Sequence, residues 1–195
     1  MTRALGITTM LLLASVVAMG AYLYYLRSNE RERALNLPDA RPISAPVAGP
    51  ATRVTFYVAY DDPGVVRPEE VSIALPDDRA QRGREILHAL VGEYVRRPSS
   101  HELAAGADVK DVFLVNDNTA VVDTTPAFAD GHRSGVFVET LTVASLVKTL
   151  TANLPGVTKV KILVDGKERE TLAGHADLED FYDVTAVEQM LQQLQ

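Results

Sequence analysis

Twenty-three consecutive residues, Ala4 to Leu26 (ALGITTMLLLASVVAMGAYLYYL), carry no charge, with Arg3 before them and Arg27 after. A helix rising about 1.5 Å per residue would make this run longer than about 30 Å, the thickness of a bilayer's hydrocarbon core. Residues 1–27 are therefore predicted to form a transmembrane anchor with a short cytoplasmic tail, crossing through residues 4–26. Tyr22, Tyr24 and Tyr25 gather at the exit, where rings bury a face and keep their hydroxyls among headgroups. The rival is a cleaved signal peptide, because Ala18-Met19-Gly20 places small residues where a peptidase would need them. A buried helix of a soluble domain fits less well, since the run has no polar face. Arg27, Arg31 and Arg33 outweigh Arg3, which favours the long portion inside. Against that count, an N-terminal signal-anchor carries the chain behind it across the membrane, and the long portion is expected outside.

The segment 28–52 is charged and then proline-rich. Glu30 to Arg33 reads as a solvated helix end. Pro38, Pro42, Pro46 and Pro50 then remove backbone donors at intervals of four residues and make a tether. The chain of 195 residues leaves room after it for one domain. A net charge of -7 argues against nucleic acid, whose phosphates need concentrated Lys and Arg. The absence of Cys excludes disulfides, thiolate metal sites, a cysteine nucleophile and an acylated cysteine.

From Arg53 the composition changes. VTFYVAY is β-branched and aromatic and stops at DDPG, so it is predicted to be the first strand. VVRPEEVSIAL gives one or two extended pieces, interrupted by Pro68 as at an edge. Asp77 or Asp78 caps a helix whose inner face carries Ile86, Leu87, Leu90, Val91 and Tyr94. Two apolar runs flank Asn116-Asp117-Asn118, αL-tolerant residues suited to a hairpin turn. A second helix, with Val136, Val143, Leu146, Val147, Leu150 and Leu154 as its apolar stripe, stops at Pro155-Gly156, and VTKVKILVDG comes next as a strand. Asp165-Gly166 is expected to turn that strand into a returning one, KERETL. The predicted class is α+β: a mixed sheet of at least four strands with two helices on one face, in the order strand-helix-strand-strand-helix-strand. Residues 179–195 form a tail whose short amphipathic helix is capped by a Thr185–Glu188 box.

Little here promises chemistry. Glu85 and His88 have a metal-helix spacing, but with Leu87, Leu90 and Tyr94 inward both fall on the outer face. His101, His132 and His175 lie near acids in loop-like stretches, yet no Gly-x-Ser-x-Gly elbow or His-Glu-x-x-His helix accompanies them. The acidic cluster around His175, with Asp177 and Asp180, is the candidate for ligand or cation binding. Glu139 falls near the apolar stripe of the second helix, within its first turns, where amides and the helix dipole would stabilise its charge. No catalytic, cofactor-binding or metal-binding residues are expected.

Four stretches in order then become informative together: VTFYVAY, the run from Ile86 to Phe128 ending in Val-Asp-Thr-Thr-x-x-Phe, the run from Thr149-Leu150 through Val160 to Val164-Asp165-Gly166, and Leu172-x-Gly174. They resemble the GerMN domain of sporulation and spore germination proteins, placed here at residues 53–178. The resemblance implies an anchored, exported domain without a catalytic motif, acting as a binding or assembly module of the bacterial envelope. It also supports the extracytoplasmic side of the inner membrane for the domain. This chain differs in lacking a lipobox cysteine and in having one copy of the domain. The expected partner is an envelope protein or cell-wall material. The alternative is an envelope enzyme or small-ligand receptor using the acidic/His C-terminal loop, which an enclosed polar pocket around Asp177 and Asp180 would favour. A third possibility is helix pairing, which an exposed stripe at Val187, Met190, Leu191 and Leu194 would favour.

Overall fold

The computed structural model describes residues 51–193 together with Met19. The remainder of the expected span 4–26, the charge run and the proline tether up to residue 50 lie outside the described residues. Among the described residues no helix is long and apolar enough to cross a membrane.

The domain begins with a hairpin. Strands β1 (Ala51–Tyr60) and β2 (Val65–Ala74) pair antiparallel in unbroken register, from Ala51 opposite Ala74 to Tyr60 opposite Val65. β1 thus starts before Arg53, inside the stretch expected to be linker. Pro68 does not divide β2; it sits opposite Tyr57 in a strand with no second neighbour, where a missing donor costs least. Helix α1 (Arg79–Val95) starts at Asp78, whose carboxylate accepts from the Gln81 amide at 2.9 Å.

Strands β3 (Val109–Asn116) and β4 (Thr119–Thr124) come next, then a short helix α2 (Pro126–Asp130) and the long helix α3 (Val136–Asn153). Strand β5 (Lys159–Val164), the two-residue β6 (Tyr182–Asp183) and helix α4 (Val184–Gln193) complete the described chain. The sheet order is β3-β4-β5-β6, with β4 and β5 parallel and the outer pairs antiparallel. This is the expected α+β class with a four-stranded mixed sheet. Helices α1 and α3 meet over it at Gly83, where a Cβ would lie 2.9 Å from Leu154, 3.2 Å from Leu150 and 3.4 Å from Val112 of β3.

The first strand does not enter that sheet. Its free edge is occupied by α3 side chains instead. The Thr55 amide donates to Asn153 Oδ1 at 3.0 Å and the Asn153 amide group donates back to the Thr55 carbonyl at 2.7 Å. The Tyr57 amide donates to Thr149 Oγ1 at 2.8 Å, and Ser145 Oγ donates to the Tyr57 carbonyl at 2.6 Å. Tyr94 Oη accepts from the Ala59 amide at 2.7 Å. Ser145, Thr149 and Asn153 recur every four residues, so they form one line along the helix. A buried strand edge needs partners for its peptide groups, and here a polar helix stripe supplies them.

This arrangement also widens the buried surface of α3, which touches β1, α1 and α4. Leu141 and Ala144 are buried beside the expected stripe, whereas Val136, expected inside it, is 57% exposed at the helix start. In the β3–β4 turn neither Asp117 nor Asn118 uses left-handed backbone; Asp165 is the non-glycine residue that does among those described.

Two further expectations change. Asp165 (φ 53°) and Gly166 (φ 72°) do form a tight turn, closed by reciprocal bonds between Val164 and Lys167 of 2.9 and 3.1 Å. The returning strand KERETL is absent, because Asp123 accepts from the Gly166 amide at 2.6 Å and Arg169 bonds Asp130 at 2.6 Å, drawing the chain off the sheet. β6 pairs with the edge of β5 instead, at Val160 and Lys159. Helix α4 is capped by Asp183, which accepts from the Ala186 amide at 2.7 Å, while Glu188 turns to Lys148 at 3.4 Å. The Thr185 box does not form. Val187 is fully buried and Met190 and Leu191 are half-buried, so α4 docks, and Leu194 lies outside the described residues.

Candidate functional site

Glu139 anchors the region where the structure concentrates polar groups. It lies in the first turn of α3 with 0% exposure, and a carboxylate there must be met by donors. Oε1 accepts from the Gly135 amide at 2.9 Å, just ahead of the helix. Oε2 accepts from the amides of Ala173, His175 and Ala176 at 3.0, 3.0 and 2.9 Å. His175 Nδ1 lies 2.9 Å from Oε1. Burial opposes the charge, but the amides and the His175 ring outweigh it and hold the pKa down at about 2. Because an ionised carboxylate only accepts, the His175 hydrogen on this side is assigned to Nδ1.

The sequence placed Glu139 against its own helix terminus; the structure adds the C-terminal loop. Leu172, Ala176 and Leu178 are buried beneath that loop, and the Leu172 amide donates to the Ala176 carbonyl at 2.9 Å. Gly174-His175-Ala176-Asp177 is thus a loop clasped by a buried carboxylate.

Beside the clasp lies an open cleft of about 510 Å³, with His175, Asp177 and Asp180 on its wall and Val136, Phe181 and Met190 among its apolar lining. The two acids and the histidine named from sequence do converge here. Ser134 Oγ lies 3.5 Å from His175 Nδ1, the nitrogen already held by Glu139. It is on the wrong side of the ring for the nucleophile of a relay, which needs the opposite nitrogen.

The other histidines do not join this site. His88 Nδ1 is 2.6 Å from Asp108 and Glu85 bonds Arg84, so the spaced pair turns outward to separate partners. The Asp108 hydrogen bond raises the His88 pKa. His101 and His132, expected as loop histidines, are buried against α3. His101 Nδ1 is 2.6 Å from Asp61 and Nε2 is 2.6 Å from Thr142 Oγ1. His132 Nε2 is 2.7 Å from the same hydroxyl, and its Nδ1 is 2.7 Å from the Arg133 carbonyl. Arg133 closes the ring of contacts by bonding Asp61. Burial pushes both imidazoles below their ordinary value, with Asp61 opposing it at His101 and the Arg133 carbonyl at His132.

Asp61, His101 and Thr142 have the connectivity of an acid–base–nucleophile relay. Thr142 is only 1% exposed, however, and its hydroxyl also donates to the Val138 carbonyl at 3.0 Å. The cluster joins the hairpin turn, the loop after α1 and the loop before α3 to one helix. A threonine inside an apolar helical run gives no sequence signal of this role. Among the described residues no group of three or more His, Asp or Glu side chains is placed to hold a metal ion.

Residues 55–170 match the family model Germane, described as sporulation and spore germination. The chain is similar to the tandem GerMN domains of the sporulation protein GerM from Bacillus subtilis at 20% identity and a TM-score of 0.51, over 68% of this chain. It spans 46% of that tandem chain. The first GerMN domain of the same protein aligns at 21% identity and a TM-score of 0.50, covering 69% of this chain and 98% of that domain. At these identities the likeness is one of fold. No curated protein matches the chain.

Proposed function

The chain belongs to the sporulation and spore germination family of GerMN-type domains, and from that premise we propose that it is a non-catalytic, membrane-anchored module of the bacterial envelope that binds or assembles with a partner. Residues 4–26 hold it in the inner membrane by their uncharged length. The domain faces the extracytoplasmic side, where it meets an envelope protein or cell-wall material.

The observation that carries the binding reading is the use already made of the site's polar groups. Glu139 is consumed in holding a loop, Ser134 meets the same ring nitrogen as Glu139, and in the Asp61-His101-Thr142 series the base and the hydroxyl are both buried in the core. Such groups position a surface rather than turn over a substrate. Photo-crosslinking in living cells, with probes on the domain and on α4 of the full-length chain, tests the assembly role. A discrete protein adduct supports it; adducts with wall material support a cell-wall partner. No adduct from any probe position overturns both.

A second reading, a small-ligand receptor, keeps the cleft that brings Asp177, Asp180 and His175 together, but that cleft is open and mostly apolar rather than the enclosed polar pocket this reading calls for. The helix-pairing reading loses its premise at Val187, which is buried against the domain.

A further inference from the structure

Strand β2 has β1 on one side and, among the described residues, no strand on the other. Which of its peptide groups face that free edge follows from β1. Thr55 and Tyr57 turn their peptide groups to α3, and Ala59 turns its own to Tyr94 and Ser100. In an antiparallel pair, a residue whose groups point away from the neighbouring strand stands opposite one that does the same. Thr55, Tyr57 and Ala59 stand opposite Glu70, Pro68 and Val66, so these aim outward, and by alternation Ser72 and Ala74 do too.

The free edge is guarded over half its length. Proline and charge both blunt a strand edge. Pro68 withholds an outward donor, and Arg67, Glu69 and Glu70 are exposed around it. Val71, Ser72, Ile73 and Ala74 carry neither device. Val71 stands opposite the buried Val54 and Ile73 opposite Thr52, on the face that takes Phe56 and Val58 into the core. Both are half-buried, so the apolar face of the hairpin runs out to the free edge and stops in water.

An occupant of this stretch must supply outward peptide groups, apolar side chains beside Val71 and Ile73, and no carboxylate opposite Glu70. A second copy of β2, antiparallel about a two-fold axis at Ser72, meets all three conditions. Ser72 then faces its own counterpart, Val71 faces Ile73, Glu70 faces Ala74, and no proline enters the paired stretch. The other two-fold registers are worse. Centring on Glu69 or Glu70 sets like charges opposite each other, and centring on Pro68 aligns two residues without donors. Centring on Val71 puts Pro68 against Ala74 and Glu69 against Ile73, and centring on Ile73 leaves Glu70 opposite Pro76, beyond the end of β2.

We propose that two copies of this chain associate through β2, pairing residues 70–74 antiparallel about Ser72, so that the two hairpins form one continuous sheet. The inference goes beyond the envelope-partner reading and does not depend on it.

The chain has no cysteine, so a single introduced one reports proximity without interference. In the full-length protein in detergent, Ser72→Cys should form an intermolecular disulfide under mild oxidation much faster than Asp117→Cys, which is exposed on the β3–β4 turn. Sedimentation equilibrium should show monomer and dimer in exchange. Ser72→Glu and Ser72→Arg should each weaken the dimer about tenfold or more by setting like charges across the axis. Circular dichroism should stay unchanged, because Ser72 is exposed. An equimolar mixture of these two variants should restore dimers, since opposite charges then meet. A monomer throughout the micromolar range, or equal disulfide rates at the two positions, overturns the proposal. So does a dimer that is indifferent to both charges or that the mixture fails to restore; association then lies on another surface, and the crosslinking result for an envelope partner stands unaffected.

Discussion

The carboxylate of Glu139 and the ring of His175 meet at 2.9 Å across thirty-six residues of sequence, one fully buried in a helix and the other at the mouth of a cleft. Through this pair the first turn of α3 determines where the C-terminal loop lies, and hence where Asp177 and Asp180 stand.

Replacing Glu139 by Gln should cost about 3 kcal/mol at neutral pH, since loop amides lose a charged acceptor and gain a misplaced donor. The sign with pH is set by its depressed pKa of about 2 against an ordinary 4.5. The unfolded chain takes up the proton first as pH falls, so this stabilisation is full above about 4.5 and is lost on descending toward about 2. Urea unfolding across pH 2 to 7 should show that loss in the wild type and not in E139Q. Equal slopes in the two proteins would contradict the assignment.

Thr142→Val keeps the shape of the side chain but leaves the Nε2 atoms of His101 and His132 without their shared hydroxyl. A loss of about 2–3 kcal/mol is expected, and Thr142→Ser should restore most of it. Because burial holds both imidazoles below 6.5, the unfolded state binds protons at these two sites more readily, and their contribution to stability should fall as pH drops below about 6.5, while that of His88, whose pKa is raised, acts the other way. Thermal melts of the two variants check the first point and imidazole titration by NMR the second; titration of His101 and His132 above the ordinary histidine value would refute the direction.

The helix stripe that covers β1 makes a local prediction. Thr149→Val and Asn153→Leu should each destabilise by about 1–2 kcal/mol by stranding peptide groups of β1. Hydrogen exchange should quicken at the Tyr57 amide in the first variant and at the Thr55 amide in the second. Unchanged protection would mean that the stripe is not what protects this edge.

Gly64 lies in the β1–β2 turn at φ 83°, and a Cβ there would stand 2.0 Å from the Phe137 ring of α3. Gly64→Ala combines a left-handed backbone with a forced shift of that ring, and should cost about 2–4 kcal/mol. A Gly64→Ala, Phe137→Ala double variant should recover the part of the cost that comes from the clash with the ring but not the backbone part; strict additivity would show that the two residues do not meet.

Local patterning determined much of this protein. The period of apolar residues marked α1 and β5, the Asp78 cap and the Asp165-Gly166 turn arise from side-chain and backbone chemistry within a few residues, and the uncharged run 4–26 needs no partner to be recognised. The order of motifs carried the family. What only the tertiary structure decided are pairings between distant peptide and polar groups: β1 closed by Ser145, Thr149 and Asn153, β6 in place of KERETL on β5, two histidines meeting at Thr142, and Glu139 holding the loop at His175. The reason is physical. Burial forces every donor and acceptor to find a partner, but which partner it finds depends on the packing of the whole chain, and residue spacing carries no record of that choice.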